Sequence, residues 1–333
     1  MLFRIAISMY KLKQIPEDFI VEEVINLELT DKGDYSYFLI EKKNWNTKDV
    51  IKIIAKKLNI RERRINIAGI KDKIALTKQY ISVFGINPEN LERIKIKDVN
   101  ITFIGCGNER IKLGQAVENK FVIIVRNLDS KGKEVNFIEN YFDDQRFGGR
   151  NHLLGEALVK KEFRKFCYML RLKWVDNDYI GAIRKLKKSL LIFYINSYQS
   201  LLWNKAASSY VNSDYTGCFS VDYTAGNFVF CSGKIENIKV PVLGFGTEFK
   251  DKKLEKIYTE ILNEEKIKLN DFIFKEIPEL VSEGVDRDLI VNIKDLKIKY
   301  FDDERNKEKR KAVLRFSLPP GSYGTIVVKK MFN

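Results

Sequence analysis

The sequence predicts an α+β fold with a mixed or antiparallel central sheet. Short β-type runs and longer helical stripes follow one another without a strict βαβ rhythm. The phosphate loop and the three-glycine fingerprint of doubly wound folds are both missing. With 333 residues, the chain is long enough for two domains or for one domain with a large insertion, and Gly and Pro are scattered singly, so no linker marks a boundary.

The first predicted elements surround a short polar loop. Residues 15–24 predict a turn and a strand with one aromatic residue, Phe19, among acids. Thr47 as N-cap and the apolar stripe that follows predict a helix over 47–59. Residues 65–70 and 80–84 predict two buried strands, which leaves 71–79 as the loop between them. Loops held by a rigid sheet often carry catalytic groups.

Later elements mix the two periodicities. Apolar runs predict strands at residues 99–104, 121–125, 228–231, 238–243, 289–300 and 312–318. Helical stripes occur at residues 136–142, 153–172, 179–190, 194–208 and 251–266. The run 302–311 is almost entirely charged and predicts a solvated hairpin loop between the last two strands.

Charge indicates the kind of partner. Lys and Arg exceed Asp and Glu by 14, and 45% of the residues are hydrophobic, which is typical of a folded protein with a polyanionic partner. Nucleic acid is the first candidate and an anionic membrane surface the second. The apolar run over residues 1–10 is broken by Arg4, and no later run is long enough to span a membrane. We therefore expect a soluble protein. The four separated cysteines favour the reducing cytoplasm. No predicted helix pairs a wholly basic face with a Trp/Phe/Leu face, so we expect no membrane partner.

Histidine and cysteine are too scarce for most metal chemistry. The chain has one histidine, His152, and four separated cysteines, Cys106, Cys167, Cys218 and Cys231. This inventory predicts no metal site and no cofactor-linked cluster, and cysteines that act as small apolar side chains rather than as disulfides. His152 lies in a polar stretch that predicts a loop or an RNA contact. Catalysis then has to rest on carboxylates, lysines, arginines or tyrosines.

One carboxylate lies in the predicted loop. Asp72 is flanked by Lys71 and Lys73, and neighbouring cations favour the ionised, nucleophilic form of an acid. Taken alone, such an aspartate is more often a turn residue or a salt-bridge partner.

Two further segments have the residue types of an RNA site. Residues 140–148 combine Asn140, Phe142 and Arg146, which suit stacking on a base and reading its edge, although such aromatic residues are often core. Residues 318–328 form a proline and glycine turn that leads into an apolar element.

Together with the segment around Phe19, these segments resemble the TruD family of tRNA pseudouridine synthases, in particular its archaeal form. The motifs, in family order, are Pro16-Glu17-Asp18-Phe19-x-Val21-x-Glu23, Ala68-Gly69-x-Lys71-Asp72-x-x-Ala75-x-Thr77-x-Gln79, Asn140-Tyr141-Phe142-x-x-Gln145-Arg146-Phe147-Gly148 and Leu318-Pro319-x-Gly321-Ser322-Tyr323-x-Thr325.

The resemblance implies an isomerase that converts a uridine of tRNA, uridine 13 in the family, to pseudouridine without a metal or cofactor. It implies that Asp72 is the nucleophile and that Phe19, Asn140, Phe142 and Tyr323 line the uridine pocket. It also implies a pseudouridine synthase core formed by residues 1–148 and 290–333, with an inserted TRUD domain at 149–289. We expect a monomer.

Several points stay open at this stage. Lys13, Lys71 and Arg146 are candidates for the cation beside Asp72, and Gln79 is a candidate supporting residue. The family motif often has a glycine and a variable residue where this chain has residues 143 and 144, both aspartates. Two alternatives are a catalytically silent RNA-binding protein on the same scaffold and a hydrolase that uses one of these aspartates as its second acid.

Overall fold

The structure is a computed structural model that describes residues 10–333, so most of the N-terminal apolar run lies outside the described residues. The chain divides into two compact units. Within the described residues, the first unit comprises 10–136, 292–324 and Phe332, and the second comprises 137–291, 325–331 and Asn333. The boundaries of the catalytic core and of its insertion at 149–289 stay a prediction, because a division of the chain into compact units does not test them.

The described residues form fourteen strands and nine α-helices. The strands are β1 (Phe19–Val24), β2 (Tyr35–Lys43), β3 (Ile65–Ile67), β4 (Leu76–Phe84), β5 (Val99–Gly107), β6 (Glu118–Leu128), β7 (Phe137–Glu139), β8 (Cys218–Tyr223), β9 (Gly226–Cys231), β10 (Lys239–Val242), β11 (Val285–Asp288), β12 (Ile290–Asn292), β13 (Lys294–Asp302) and β14 (Arg310–Leu318). The helices are α1 (Thr47–Lys57), α2 (Pro88–Glu92), α3 (Asp144–Phe147), α4 (Asn151–Val159), α5 (Phe163–Leu170), α6 (Tyr179–Arg184), α7 (Lys188–Asp214), α8 (Lys252–Glu265) and α9 (Gly324–Phe332).

A mixed sheet forms the centre of the first unit, and the predicted α+β class is confirmed. Its strand order is β13-β14-β6-β1-β4-β2-β5, with β3 paired to β4 off this path. Strands β1 and β4 run parallel, and the other neighbours in this sheet are antiparallel. Strand β1 pairs with Leu76 to Lys78 and β3 with Ile81 to Val83, so both contribute to the same side of β4.

Helix α1 covers part of this sheet. Its apolar stripe, which includes Val50 and Ile54, packs with Phe38 and Ile81 in one buried cluster. The helix begins at Thr47 and its N-cap residue is Asn46, so the sequence prediction of Thr47 as the cap was wrong by one residue. The stripe itself was predicted correctly because its spacing repeats over three turns.

The second unit is built around α7, which is 27 residues long and buried along most of its length. The indole N–H of Trp203 on this helix donates to the carbonyl of Val240 at 3.0 Å. Helix α4 packs closely against α7 at Gly155, where an added Cβ would lie 2.0 Å from the carbonyl oxygen of Tyr194. Glycine is therefore required at residue 155. The strands of this unit form the small pairs β8–β9, β10–β11 and β7–β12.

Two predicted helices differ from the structure. Residues 136–142 do not form a helix, because β7 occupies 137–139 and the chain is irregular beyond it. A seven-residue apolar segment is too short for its periodicity to separate helix from strand. The predicted helix 153–172 is divided into α4 and α5 at Lys161, whose φ is +59°.

The predictions for cysteine and histidine also need correction. Cys218 and Cys231 form a disulfide across the β8–β9 pair, where the register places them opposite each other. Strand β8 was not predicted, so no strand pairing placed the two cysteines opposite each other in advance. Cys106 and Cys167 are free, and Cys167 is buried as expected. His152 lies in the first turn of α4 rather than in a loop.

The charged run 302–311 is only partly a solvated hairpin loop. Asp303 and Asn306 are buried within it, and the Asp303 carboxylate forms an ion pair with Arg126 at 2.9 Å. Charge alone did not reveal that a buried cation on β6 needs an acid from this loop.

Candidate active site

Asp72 lies in the loop between β3 and β4, as predicted. This loop enters β4 at Leu76, which is the register partner of Ile20 on β1. Because β1 and β4 are parallel, their first residues lie at the same end of the sheet. The segment around Phe19 and the Asp72 loop therefore meet, although more than fifty residues separate them in the chain.

The Asp72 carboxylate has a cation beside it. Its Oδ2 lies 3.1 Å from the Nζ of Lys13, and the two side chains are 27% and 22% exposed. The same ammonium group lies 4.0 Å from the centre of the Phe19 ring. An adjacent positive charge favours an ionised carboxylate, and the partial exposure leaves that carboxylate accessible to a reactant. Of the candidate cations, Lys13 thus lies within ion-pair distance of Asp72.

Lys42 holds the backbone of the Asp72 loop. Its Nζ donates to the carbonyl oxygens of Asp72, at 2.8 Å, and of Trp45, at 2.7 Å. Burial lowers the pKa of Lys42 to about 8, although the negative charge of Asp72 acts to raise it. Sequence reasoning missed this residue. Its signal was the alternation of Phe38, Ile40 and Lys42, which places a lysine on the buried face of β2.

Thr47 and Gln79 attach the loop to α1 and β4. The Thr47 hydroxyl accepts from the backbone N–H of Lys71 at 3.1 Å and donates to Gln79 Oε1 at 2.8 Å. Gln79 Nε2 in turn donates to the carbonyl of Gly69 at 3.3 Å. Both side chains are buried, and such a satisfied polar network holds a loop in one conformation.

The Lys71 side chain contacts two strands of the sheet, β1 and β6. Its Nζ forms an ion pair with Glu23 Oε2 at 3.0 Å and donates to Asn119 Oδ1. Glu23 and Asn119 are register partners on β1 and β6. Lys71 therefore attaches the loop to the sheet through a buried acid.

Tyr323 lies in the turn that follows β14. The N–H of Ser322 donates to the carbonyl of Pro319 at 3.3 Å, and Gly321 has a φ of +80°, which favours glycine. Tyr323 itself is half-buried.

The Phe121 ring of β6 lies close to two of the motifs in this unit, those around Phe19 and Tyr323. Its ring lies edge-on to Phe19, with centroids 6.2 Å apart. A Cβ at Gly324, directly after Tyr323, would lie 2.8 Å from the same Phe121 ring. The motifs around Phe19, Asp72 and Tyr323 therefore all adjoin strands of one sheet.

Asn140 belongs to the second unit, where it is buried and hydrogen-bonded. Its N–H and Nδ2 donate to the carbonyls of Leu289, at 2.8 Å, and Asp288, at 3.2 Å. The Arg287 guanidinium donates to the Asn140 side-chain oxygen at 2.7 Å and to its carbonyl at 2.9 Å. Sequence reasoning missed Arg287, because no local pattern connects it to a residue 147 positions earlier.

Phe142 is bonded through its main chain to Asn204 on α7. Its N–H donates to Asn204 Oδ1 at 3.0 Å, and its carbonyl accepts from Asn204 Nδ2 at 2.8 Å. The Phe142 ring lies edge-on to Trp203, with centroids 5.6 Å apart. Two guanidinium groups lie near it, that of Arg287 at 4.1 Å and that of Arg146 at 5.4 Å from the ring centre. An aromatic ring and two cations thus form one cluster.

The two aspartates at 143 and 144 bind Lys329 of α9. The ion-pair distances from the Lys329 Nζ are 2.6 Å to Asp143 and 2.5 Å to Asp144, and the Thr325 hydroxyl donates to Asp143. Burial acts to raise the pKa of Asp144, but Lys329 and the hydrogen bonds of Thr224 lower it on balance. Both aspartates are therefore ion-pair partners of Lys329.

Comparison with known proteins decides the family. A family model described as tRNA pseudouridine synthase D (TruD) matches residues 8–174 and 227–331. The chain belongs to the tRNA pseudouridine synthase D family. It is therefore an enzyme of the pseudouridine synthase class, and the resemblance seen in the four motifs is confirmed. The alternative of a catalytically silent RNA-binding protein loses its basis.

Individual relatives agree with this assignment. A probable tRNA pseudouridine synthase D of Methanosarcina acetivorans is 30% identical, over 96% of this chain and 92% of the relative. The tRNA pseudouridine synthase D of Aquifex aeolicus is 28% identical, over 97% and 98%. A crystal structure from Methanosarcina mazei, described as a tRNA pseudouridine synthase D, superimposes with a TM-score of 0.67 at 25% identity and covers 96% of this chain and 93% of that one.

Neither a membrane-spanning helix nor a metal-binding cluster occurs among the described residues. In residues 10–333, no helix combines the length and apolar character that a membrane span requires. The same part of the chain has no group of three or more His, Cys, Asp or Glu side chains arranged to hold a metal ion.

Proposed function

We propose that the enzyme converts uridine 13 of tRNA to pseudouridine with Asp72 as the nucleophile. The observation that carries this proposal is a partly exposed carboxylate, 3.1 Å from the ammonium group of Lys13, in a loop held by Lys42. An ionised acid with a fixed backbone and an open side chain suits nucleophilic catalysis. The choice of uridine 13 rests on the family resemblance.

The reaction is an isomerisation, so atoms and electrons balance without a co-reactant. The bond between N1 of the uracil and C1′ of the ribose breaks, the base turns, and a bond forms between C5 and C1′. The proton on C5 leaves, and N1 carries a proton in the product. In our proposal Asp72 either attacks the uridine covalently or stabilises the positive charge left on the ribose when the uracil departs as an anion. Both routes need the ionised carboxylate, which Lys13 favours.

The target base has to leave its stack to reach a carboxylate. Flipping a nucleotide costs a few kcal/mol, and stacking on an aromatic side chain returns about 1–3 kcal/mol per base. We propose that Phe19, Asn140, Phe142 and Tyr323 bind the uridine. The family motifs support these roles.

Replacing Asp72 by Asn tests the nucleophile. The substitution keeps the side-chain volume and the backbone carbonyl that accepts from Lys42, but removes the negative charge. We expect pseudouridine formation to fall by at least about 10³-fold, because removal of a nucleophile leaves only binding and positioning effects. Carbodiimide labelling of tRNA before and after incubation measures the product. Asp31→Asn, in an exposed loop of the same unit, is the matched control. Turnover by Asp72→Asn at the control rate contradicts the proposal.

The position in tRNA needs a separate test. Pseudouridine is mapped on total RNA from cells with and without the enzyme, and we expect a new signal at uridine 13. A signal at another tRNA position, with uridine 13 unchanged, removes the positional part of the proposal and leaves Asp72 in place.

We further propose that the enzyme acts as a monomer in the cytoplasm. A tRNA substrate supports the compartment. Sedimentation at the concentration of the activity assay is expected to give the mass of one chain, 38.9 kDa. A dimer at that concentration contradicts the oligomeric state.

A further inference from the structure

A basic pocket lies at the end of β4 that is remote from Asp72. It encloses about 800 Å³, and the lining residues that matter are Tyr35, Arg61, Arg63, Arg64, Phe84 and Arg110. We call this set the arginine pocket. All of its members belong to the first unit.

The charges of the arginine pocket are not neutralised by acids. Within the described part of the chain, no carboxylate lies within ion-pair distance of Arg61, Arg63, Arg64 or Arg110. The acid next to Arg110, Glu109, forms its ion pair with Lys112 at 2.9 Å. Several guanidinium groups without acidic partners attract a polyanion and suit phosphate groups.

An exposed aromatic ring lies among these charges. Phe84 is 44% exposed, and Tyr35 lies edge-on to it, with centroids 5.2 Å apart. Arg64 fixes the end of β4, since its Nε donates to the carbonyl of Phe84 at 2.9 Å and its Nη2 to that of Gly85 at 2.6 Å. The Phe84 ring is therefore open to solvent beside the guanidinium groups, where a base can stack on it.

We infer that the arginine pocket is a second tRNA-binding site, outside the site of chemistry. Arg61, Arg63 and Arg110 bind phosphates, and an unpaired base stacks on Phe84. Proteins commonly bind single-stranded or looped RNA through this combination of basic groups and an aromatic ring. The inference rests on the proposed function, because it takes tRNA as the substrate.

One tRNA molecule can occupy both sites. Phe84 lies eight residues after Leu76, the residue at which the Asp72 loop enters β4. At the rise of a strand, eight residues span about 26 Å. At about 3.4 Å per nucleotide along a duplex strand, this separation corresponds to about eight nucleotides. The pocket therefore lies within reach of nucleotides near the target uridine in the tRNA fold.

Neutralising two arginines tests the phosphate contacts. The double variant Arg61→Gln/Arg63→Gln is compared with Lys297→Gln/Lys299→Gln, which removes the same charge from exposed residues of β13 at the opposite edge of the sheet. Binding of an unmodified tRNA transcript is measured by fluorescence anisotropy over a series of salt concentrations. Each lost phosphate contact reduces the slope of log affinity against log salt by about 0.7–0.9.

We expect the arginine variant to lose about 1.4–1.8 from that slope and to bind at least about tenfold more weakly at about 0.1 M salt, and the lysine variant to change by less than about twofold. Equal losses in the two variants overturn the inference, because they would reflect net charge alone. Binding by the arginine variant at the strength of the unchanged enzyme also overturns it.

Phe84→Ala tests the stacking contact. We expect the Kd for the transcript to rise about tenfold with the salt slope unchanged, since stacking is not ionic. Phe84→Trp should restore binding, because it keeps an aromatic face. The residue is exposed, so thermal unfolding of both variants is expected to match the unchanged enzyme. An unchanged Kd in Phe84→Ala overturns the stacking role.

Activity separates a failure of this inference from a failure of the proposed function. The pocket variants are expected to raise KM for tRNA more than they lower kcat. If the unchanged enzyme forms no pseudouridine in tRNA, the proposed function fails whatever the pocket does. If it is active and the pocket variants bind normally, only the inference about the pocket fails.

Discussion

Asp18 and Asp72 lie in the same unit, and each forms an ion pair, but their surroundings differ. The Asp18 carboxylate is fully buried and accepts from Arg126 Nε at 2.9 and 3.0 Å and from its Nη2 at 2.8 Å. The Asp72 carboxylate lies 3.1 Å from the Nζ of Lys13 and is 27% exposed. A bidentate buried pair is rigid and closed to reactants, whereas a partly exposed carboxylate is open to a reactant. Burial and partner type therefore distinguish the structural Asp18 from Asp72, the proposed nucleophile.

The structural pair extends to the loop after β13. Arg126 also contacts Asp303 at 2.9 Å and Glu304 at 3.0 Å, and Asp303 accepts from the N–H of Asn127 at 2.9 Å. This network connects β6 to the start of β1 and to the β13–β14 loop. The Asp72 loop is held through its backbone, by Lys42 and Thr47.

The largest difference is expected in stability. Asp18→Asn leaves Arg126 without one of its buried acids, and breaking a buried pair costs about 3–5 kcal/mol. Asp72→Asn removes a partly exposed contact worth at most about 1 kcal/mol. Urea unfolding at pH 7 measures both free energies. Equal losses in the two variants would remove the distinction between a structural and a reactive aspartate.

A second difference is expected in the free energy of unfolding at low pH. Burial acts to raise the pKa of Asp303, but hydrogen bonds from Asn127, Arg305 and Arg126 outweigh it and lower the pKa to about 2. A depressed pKa in the folded state stabilises the protein above the unfolded value near 4, and this stabilisation is lost as the pH falls towards 2. The free energy of unfolding should therefore fall by on the order of 2 kcal/mol between pH 4 and pH 2 through this group.

One variant locates the source of that acid sensitivity. Asp303→Asn is expected to flatten the pH dependence between 4 and 2 relative to the unchanged enzyme. Denaturant unfolding at several pH values provides the measurement. A pH dependence that persists in Asp303→Asn assigns the effect to other carboxylates.

Lys13→Met should affect catalysis more than stability. Methionine can retain packing on Phe19 but has no charge to orient the Asp72 carboxylate. We expect kcat to fall about tenfold, which corresponds to about 1.4 kcal/mol in the barrier. Lys13→Arg should recover much of the loss because it keeps a cation. Equal rates in the Met and Arg variants contradict a role for the charge.

The smallest expected effect is a change in the pKa of Lys42. Burial lowers the pKa of Lys42 to about 8, and the negative charge of Asp72 acts to raise it. Asp72→Asn removes that charge and should lower the pKa of Lys42 by a fraction of a unit. NMR of the lysine Nζ groups follows the titration, with Asp31→Asn as the control. An unchanged midpoint in Asp72→Asn indicates that the carboxylate and Lys42 are screened from each other.

The sequence was sufficient for features that depend on local pattern or motif. The Asp72 loop between two strands followed from alternation on both sides of it, and α1 followed from a stripe that repeats over three turns. The family followed from four separated motifs in order, which is why it could be named before any geometry was known.

Features that depend on distant contacts were not predictable. Lys42 lies 30 residues from the carbonyl it holds, and Arg287 lies 147 residues from Asn140. The Cys218–Cys231 disulfide depends on the register of a strand that has a weak pattern. The segment after Asn136 was assigned to a helix because its periodicity was too short to decide, and tertiary pairing made it a strand.

The parallel pairing of β1 and β4 has a consequence for how activity arises during folding. Lys13 and Asp72 are 59 residues apart in the chain, so closing that loop costs entropy before their contact can form. Contacts of high sequence separation form late in small domains and slow their folding. We therefore expect Asp72 to acquire its cation only when the centre of the sheet has assembled. Recovery of turnover after dilution from denaturant is expected to report completion of the tertiary fold rather than the earlier appearance of secondary structure.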